Sequence, residues 1–206
     1  MARFLDDAGK RALQAAVENI EAVSAVEAVV VVPIQSGRYL HADLLGAIAC
    51  GWFGLGFLLL SDWSFSIASI WLDPLACGLL GGGLVSRVPA LRRWLTPPKW
   101  RHEAVLRCAR ATFLERRISE TRDRSGVLIY ISQLEREALV LADRGIQQAV
   151  ASSDWQQLEL GLGRAVRAGD AQAAARALTD FARVAQAALP RRADDQNELS
   201  DSVVSE

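Results

Sequence analysis

The sequence predicts an α+β fold: a small mixed sheet flanked by helices, with a two-helix transmembrane hairpin inserted after the first strand. Three observations predict it. Residues 44–88 hold three charges, Asp62, Asp73 and Arg87, while the other 161 residues carry the remaining 44 of the chain's 47. Three short apolar runs of strand length, 28–32, 127–131 and 138–142, lie on either side of that uncharged block. Apolar residues recur at helical spacing in four further stretches. A five-residue strand on its own is unstable, so the run before the block requires the later pair as its partner in one sheet.

Taken in order, residues 6–23 form an amphipathic helix with Leu13, Val17 and Ile20 on one stripe and Asp6 and Asp7 in its first turn. The next segment, AVVVV over 28–32, is a strand stopped by Pro33 and the turn residues Gln35-Ser36-Gly37. These elements make residues 1–40 the first part of the split domain. Residues 41–96 are the membrane hairpin, 97–189 the second part, and 190–206 an acidic tail without periodicity, read as disordered.

Leu44 to Leu60 is seventeen residues without a charge. It spans roughly 26 Å, slightly short of the ~30 Å hydrocarbon layer, and Tyr39–Asp43 or Trp63 extends it to the interface. Two readings of the second span compete. It runs from near Phe65 to Val88 with a kink, or it begins at Pro74 with Asp73 as N-cap. The second is preferred, because helix starts favour Pro at the first position and Asp before it. Ser64–Leu72 is then a short interfacial segment. Gly81-Gly82-Gly83 lets the two helices approach closely. Arg87, Arg92, Arg93, Lys99 and Arg101 crowd the exit of the second span and Arg38 precedes the first, whereas the connecting turn offers only Asp62. The excess of Lys and Arg places both flanks, and so both termini, in the cytoplasm. The first twenty residues, with their charges and no apolar core, do not read as a signal peptide.

After the hairpin, Trp100–Thr121 reads as a basic helix, with Val105, Ala109, Phe113 and Ile118 inward and Arg107, Arg110, Arg116, Arg117 and Arg122 outward. The strands 127–131 and 138–142 follow, joined by a bend short enough for a hairpin. Helices then start at Gly145, near Trp155 behind Ser153 or Asp154 as cap, and at Asp170. The last carries the stripe Ala174, Leu178, Phe181 and Ala185.

A net charge of −1 and a pI near 6.2 argue against a nucleic-acid partner bound through overall basicity. Cys50, Cys77 and Cys108 show neither a disulfide framework nor zinc-ligand spacing and read as small apolar side chains. His41 and His102 flank the membrane block, an interfacial place more than a catalytic one. No nucleophile elbow, phosphate loop or metalloprotease motif occurs.

The stretch Thr121-Arg122-Asp123-Arg124-Ser125-Gly126-Val127-Leu128-Ile129-Tyr130-Ile131-Ser132 resembles the T-x-x-R-T/S-G-V-L-I-Y-V-S segment of bacterial TPM-domain membrane proteins. Leu134-Glu135-Arg136, Val140-Leu141-Ala142-Asp143-Arg144-Gly145-Ile146 and Trp155 are similar to that family's ER…V-x-A-D-x-G-I…W continuation, and Asn197-Glu198-Leu199 to its close. The likeness covers about residues 5–40 and 100–200. It implies the TPM fold and a membrane-anchored domain of no fixed activity. One relative, a thylakoid-lumen protein reported as an acid phosphatase, implies a second reading.

The candidate site follows the third strand. Asp143, Arg144 and Gly145 stand between a strand and a helix, where a carboxylate suits Ca2+ or Mg2+ or a metal-assisted phosphatase. The plainer reading makes Asp143 a helix cap and Gly145 a turn residue needing positive φ. Glu135 and Arg136 read as an exposed pair at the hairpin bend, of interest if they lie beside Asp143. Arg122, Asp123 and Arg124 form a charged loop able to clamp an anion. Expected partners are the lipid bilayer, its anionic lipid headgroups and a protein; the favoured function is protein interaction or assembly.

Overall fold

The structure, a computed structural model, describes residues 4–121 and 123–191. The elements run α1 (Asp7–Val23), β1 (Glu27–Val31), α2 (Leu40–Leu60), α3 (Ile67–Arg87), α4 (Pro89–Leu95) and α5 (Pro98–Glu115). A 3-10 turn (Ile118–Glu120) leads to β2 (Gly126–Ser132), β3 (Glu137–Ala142), α6 (Arg144–Ala149), α7 (Ser152–Ala168) and α8 (Ala171–Ala188). The chain divides into two compact units, one formed by residues up to Ser36 with those from His102 onward, the other by Gly37–Arg101.

The first unit is the α+β fold. Its three strands form one sheet in the order β1-β2-β3. β1 runs parallel to β2 with Val29 opposite Leu128, and β2 runs antiparallel to β3 with Ile129 opposite Val140. A parallel pair needs a crossover connection, and here that connection contains the whole second unit. Alternate side chains divide between two cores. Ala28, Val30, Val127, Ile129 and Ile131 pack with α1, α7 and α8 through Leu13, Val17, Ile20, Leu162, Leu178 and Phe181. Val29, Val31, Leu128 and Tyr130 pack with Val105 and Ala109 of α5 and with Ile118. Burial on both faces is why β1 reads as an unbroken apolar run. The caps are local: Asp6 Oδ1 accepts from the Gly9 N–H at 2.6 Å, and Asp170 Oδ1 from the Ala173 N–H at 2.9 Å. Gly169 closes α7 in the left-handed conformation, with φ 74°.

Two helices of this unit depart from expectation. The single helix expected over Trp100–Thr121 ends at Glu115. Arg117 turns left-handed, with φ 53°, and the 3-10 turn then buries Ile118 completely. Ile118 is expected inward, but as part of the helix and not of a 3-10 turn. α7 starts at Ser152 with Ala151 as N-cap and no side-chain cap, so neither Ser153 nor Asp154 plays that part. Trp155 instead packs against the core, its ring centroid 5.0 Å from that of Phe181. The expected disorder of the tail lies outside the described residues beyond Arg191, as do Asn197-Glu198-Leu199 and Arg122.

In the second unit, α2 and α3 pair as a hairpin. A Cβ at Gly81 would lie 2.4 Å from Cys50 Sγ and 2.8 Å from the Gly46 carbonyl, so the helix axes are as close as glycine allows. Gly78, Gly81 and Gly82 face α2, whereas a Cβ at Gly83 would meet only Arg87 of its own helix, at 3.4 Å. α3 begins at Ile67, not at Pro74. Ser66 supplies the cap, its Oγ accepting from the Ser69 N–H at 3.1 Å. Pro74 sits inside the helix and costs one backbone hydrogen bond there, while the earlier start gains two turns. Asp73 is accordingly an exposed interior residue, not a cap. Both helices are long and apolar enough to cross a membrane, and only 11% and 6% of their apolar windows are buried.

Candidate functional site

The sheet separates the six candidate residues into two groups. Arg124, Asp143, Arg144 and Gly145 lie where Val127 pairs with Ala142, and Glu135 and Arg136 lie beyond the Ser132–Glu137 pair at the opposite end. Five strand steps of about 3.4 Å put roughly 17 Å between the two ends. Glu135 and Arg136 therefore do not join Asp143.

At the first end two loops cross. The Asp143 N–H donates to the Gly126 carbonyl at 2.9 Å, and the Ile146 N–H to the Arg124 carbonyl at 3.3 Å. Arg124 is left-handed, with φ 51°, and its N–H donates to the Thr121 carbonyl at 3.1 Å. Thr121 Oγ1 takes the Ser125 N–H at 3.1 Å. Asp143 caps α6, its Oδ1 accepting from the Arg144 N–H at 2.6 Å. Its Oδ2 is enclosed without a hydrogen-bond partner. Gly145 does not have positive φ, contrary to expectation. It is glycine because a Cβ would sit 2.5 Å from the Asp123 carbonyl oxygen and 2.7 Å from that of Arg124. Asp123, Arg124 and Arg144 are exposed. Among the described residues no three His, Cys, Asp or Glu side chains are placed to share a metal ion.

The opposite end holds the polar network that sequence reasoning missed. Glu135, expected to be exposed, is 4% exposed. Its Oε1 accepts the Ser36 N–H at 2.9 Å and its Oε2 a short hydrogen bond from Ser132 Oγ. Ser36 Oγ donates to Ser132 Oγ at 2.8 Å and lies 3.2 Å from the Tyr130 hydroxyl. Cys108 Sγ donates to the Ser36 carbonyl at 3.0 Å. Backbone bonds complete the contact: Gln133 N–H to the Pro33 carbonyl at 3.2 Å and Leu134 N–H to that of Ile34 at 2.9 Å. The loop leaving β1 is thus tied to the β2–β3 bend, where Arg136 is left-handed with φ 55°. Burial, chiefly, pushes the Tyr130 hydroxyl up to about 12. Nothing local announces this network, since Ser36 and Ser132 are 96 positions apart.

The histidines have structural partners. His102 Nδ1 makes a short contact with the Glu137 carboxylate, and His41 Nε2 lies 3.2 Å from Thr96 Oγ1 with its ring edge-on to Tyr39 and Trp100. In the second unit Arg92 forks onto Asp43, Nε to Oδ1 at 3.0 Å and the terminal nitrogen to Oδ2 at 2.7 Å. That hydrogen bonding raises the Arg92 pKa above its ordinary value, against the opposing effect of burial. An open groove of about 490 Å³ runs between α7 and α8, lined by Leu158, Gly161, Ala165, Ala177 and Phe181; none of the six candidates lines it.

No family model matches the chain, and no curated protein matches it. Among solved structures it is similar to the BA42 protein of the psychrophilic bacterium Bizionia argentinensis, determined by NMR. The TM-score is 0.60 at 14% sequence identity, covering 100% of this chain and 98% of that one. At that identity the likeness is one of fold.

Proposed function

We propose that the chain is a membrane-anchored, TPM-like module at the inner face of a bacterial membrane, working by protein interaction or assembly. The observation that carries the membrane part is the outer surface of the second unit. Trp52, Phe53, Phe57 and Leu60 of α2 and Trp71, Leu79 and Leu80 of α3 are all at least 60% exposed, an apolar surface that soluble monomers rarely present and that a bilayer would cover. The cluster Arg87, Arg92, Arg93, Lys99 and Arg101 after α3 supports cytoplasmic flanks and contact with anionic lipid headgroups. The TPM part rests on the motif from Thr121 to Ser132, whose apolar half is β2.

The interaction reading draws support from the divided candidate residues. A feature favouring a metal-assisted phosphatase is the unpartnered Asp143 Oδ2, but among the described residues no group of three His, Cys, Asp or Glu side chains is placed to share a metal ion there. In isolated membranes the protein is expected to resist alkaline carbonate washing; once purified, it is expected to capture a reproducible protein partner and to leave an aryl phosphate intact. Release by carbonate would refute anchoring. Phosphate release lost in Asp143→Asn would replace interaction by catalysis.

A further inference from the structure

The short helix α4 exposes its tryptophan while it turns an arginine inward. At 100° per residue Ala90, Trp94, Leu91 and Leu95 fall within an arc of about 140°, and Arg92 and Arg93 occupy the other side. The charged side is held inward: Arg92 forks onto Asp43 in the first turn of α2, with side chains only 19% and 18% exposed. Of the apolar side, Ala90 and Trp94 face outward and Leu91 and Leu95 are half-buried. No residue of α4 is buried, and Trp94 is 82% exposed.

The placement of α4 is fixed at both ends. Val88 is extended, as the residue before a proline prefers, and ends α3 by donating to Leu84; Pro89 then opens α4. At the far end Thr96 is 2% exposed and contacts His41. The chain therefore leaves α3 through a one-residue break and sets α4 against the base of both long helices. There Leu40, Leu44 and Leu84 are also more than half exposed.

We propose that α4 is an interfacial anchor that lies at headgroup depth in the leaflet where α3 ends, with the exposed Trp94 inserted and the exposed Lys99 toward lipid phosphate. This rests on the membrane reading above and adds the depth and the residues. Lipid is the occupant for two reasons. Trp94 continues the exposed apolar exterior of α2 and α3, and the exposed Lys99 follows it closely in the chain, the pairing of aromatic and basic residues found at the acyl–headgroup boundary. A seven-residue helix is also only about 10 Å long, too little surface for the ~800 Å² per partner of a stable protein interface.

The test uses the full chain labelled with fluorotryptophan in phosphatidylcholine nanodiscs containing phosphatidylglycerol. Its six tryptophans are resolved by fluorine NMR, and Trp94 is assigned by Trp94→Phe, with Trp94→Tyr as a second assignment variant. A nitroxide on the lipid headgroup is expected to broaden the Trp94 signal several-fold more than a water-soluble relaxation agent does. Equal or weaker broadening by the lipid probe would overturn the anchor, and protection from both probes would assign the surface to a protein partner or a second copy. Trp52 and Trp71 separate the two readings. If a chain-end nitroxide broadens them while Trp94 ignores lipid, α4 alone is misread; if they too ignore lipid, the membrane reading fails.

Discussion

Glu135 shows how much a side chain's neighbours decide. Beside Arg136 in the sequence it reads as half of a surface pair, worth little. In the fold it is a buried acceptor for Ser36 and Ser132, and removing it leaves two enclosed donors without partners. Glu135→Ala is expected to cost about 1–3 kcal/mol in denaturant unfolding of the detergent-solubilised protein, and Glu135→Gln clearly less. Equal losses would mean the carboxylate packs without bonding. Tyr130, in the same network, sets a pH window. Its pKa is raised from the usual value near 10 to about 12, so the neutral form is favoured in the fold. Its contribution is complete below about pH 10 and is lost as pH rises toward 12, and Tyr130→Phe should flatten the stability profile between those limits. At the other end, Gly145→Val should destabilise strongly through the Asp123 and Arg124 carbonyls, and Asp143→Ala by roughly 0.5–2 kcal/mol through the lost cap. Added Ca2+ or Mg2+ should leave the wild-type melting temperature unchanged. A metal-dependent rise abolished by Asp143→Ala would make the site a cation site. The need for glycine at 145 was legible; its cause was not, because the crossing backbone comes from residues 123–124.

Elements were legible where one local signal sufficed. The stripes of α1 and α8, the Asp170 cap and the three apolar strand runs lie in the chain as they lie in the fold. Elements failed where two local signals competed. Asp73-Pro74 is a good helix start, yet Ser66 offers a cap two turns earlier, and the longer helix satisfies more backbone. The end of α5 failed for lack of any signal, since left-handed Arg117 is neither glycine nor asparagine. The glycine-rich face of α3 gives this scale its prediction. Gly81→Val should lower hairpin stability by about 1–3 kcal/mol or more, because Cys50 and the Gly46 carbonyl leave no room for a Cβ. Gly83→Ala should be tolerated. Thermal unfolding of both variants in detergent distinguishes them, and equal behaviour would contradict the close helix contact.

In the whole molecule, β1 and β2 are parallel neighbours although the α2–α3 hairpin separates them in sequence. The pairing was predictable from solitary strand instability, whereas its parallel direction was not, because both directions bury the same valines. A hairpin that crosses twice returns the chain to the side it left, and only then can the two segments of the sheet fold together. That requirement is tested most directly by fusing reporters at Met1 and Glu206 in bacterial cells. A fluorescent protein that matures only in the cytoplasm is expected to glow at both ends, and an enzyme active only in the periplasm to stay silent at both. A periplasmic signal at both ends would reverse the orientation, and opposite signals at the two ends would contradict a sheet closed across a membrane hairpin.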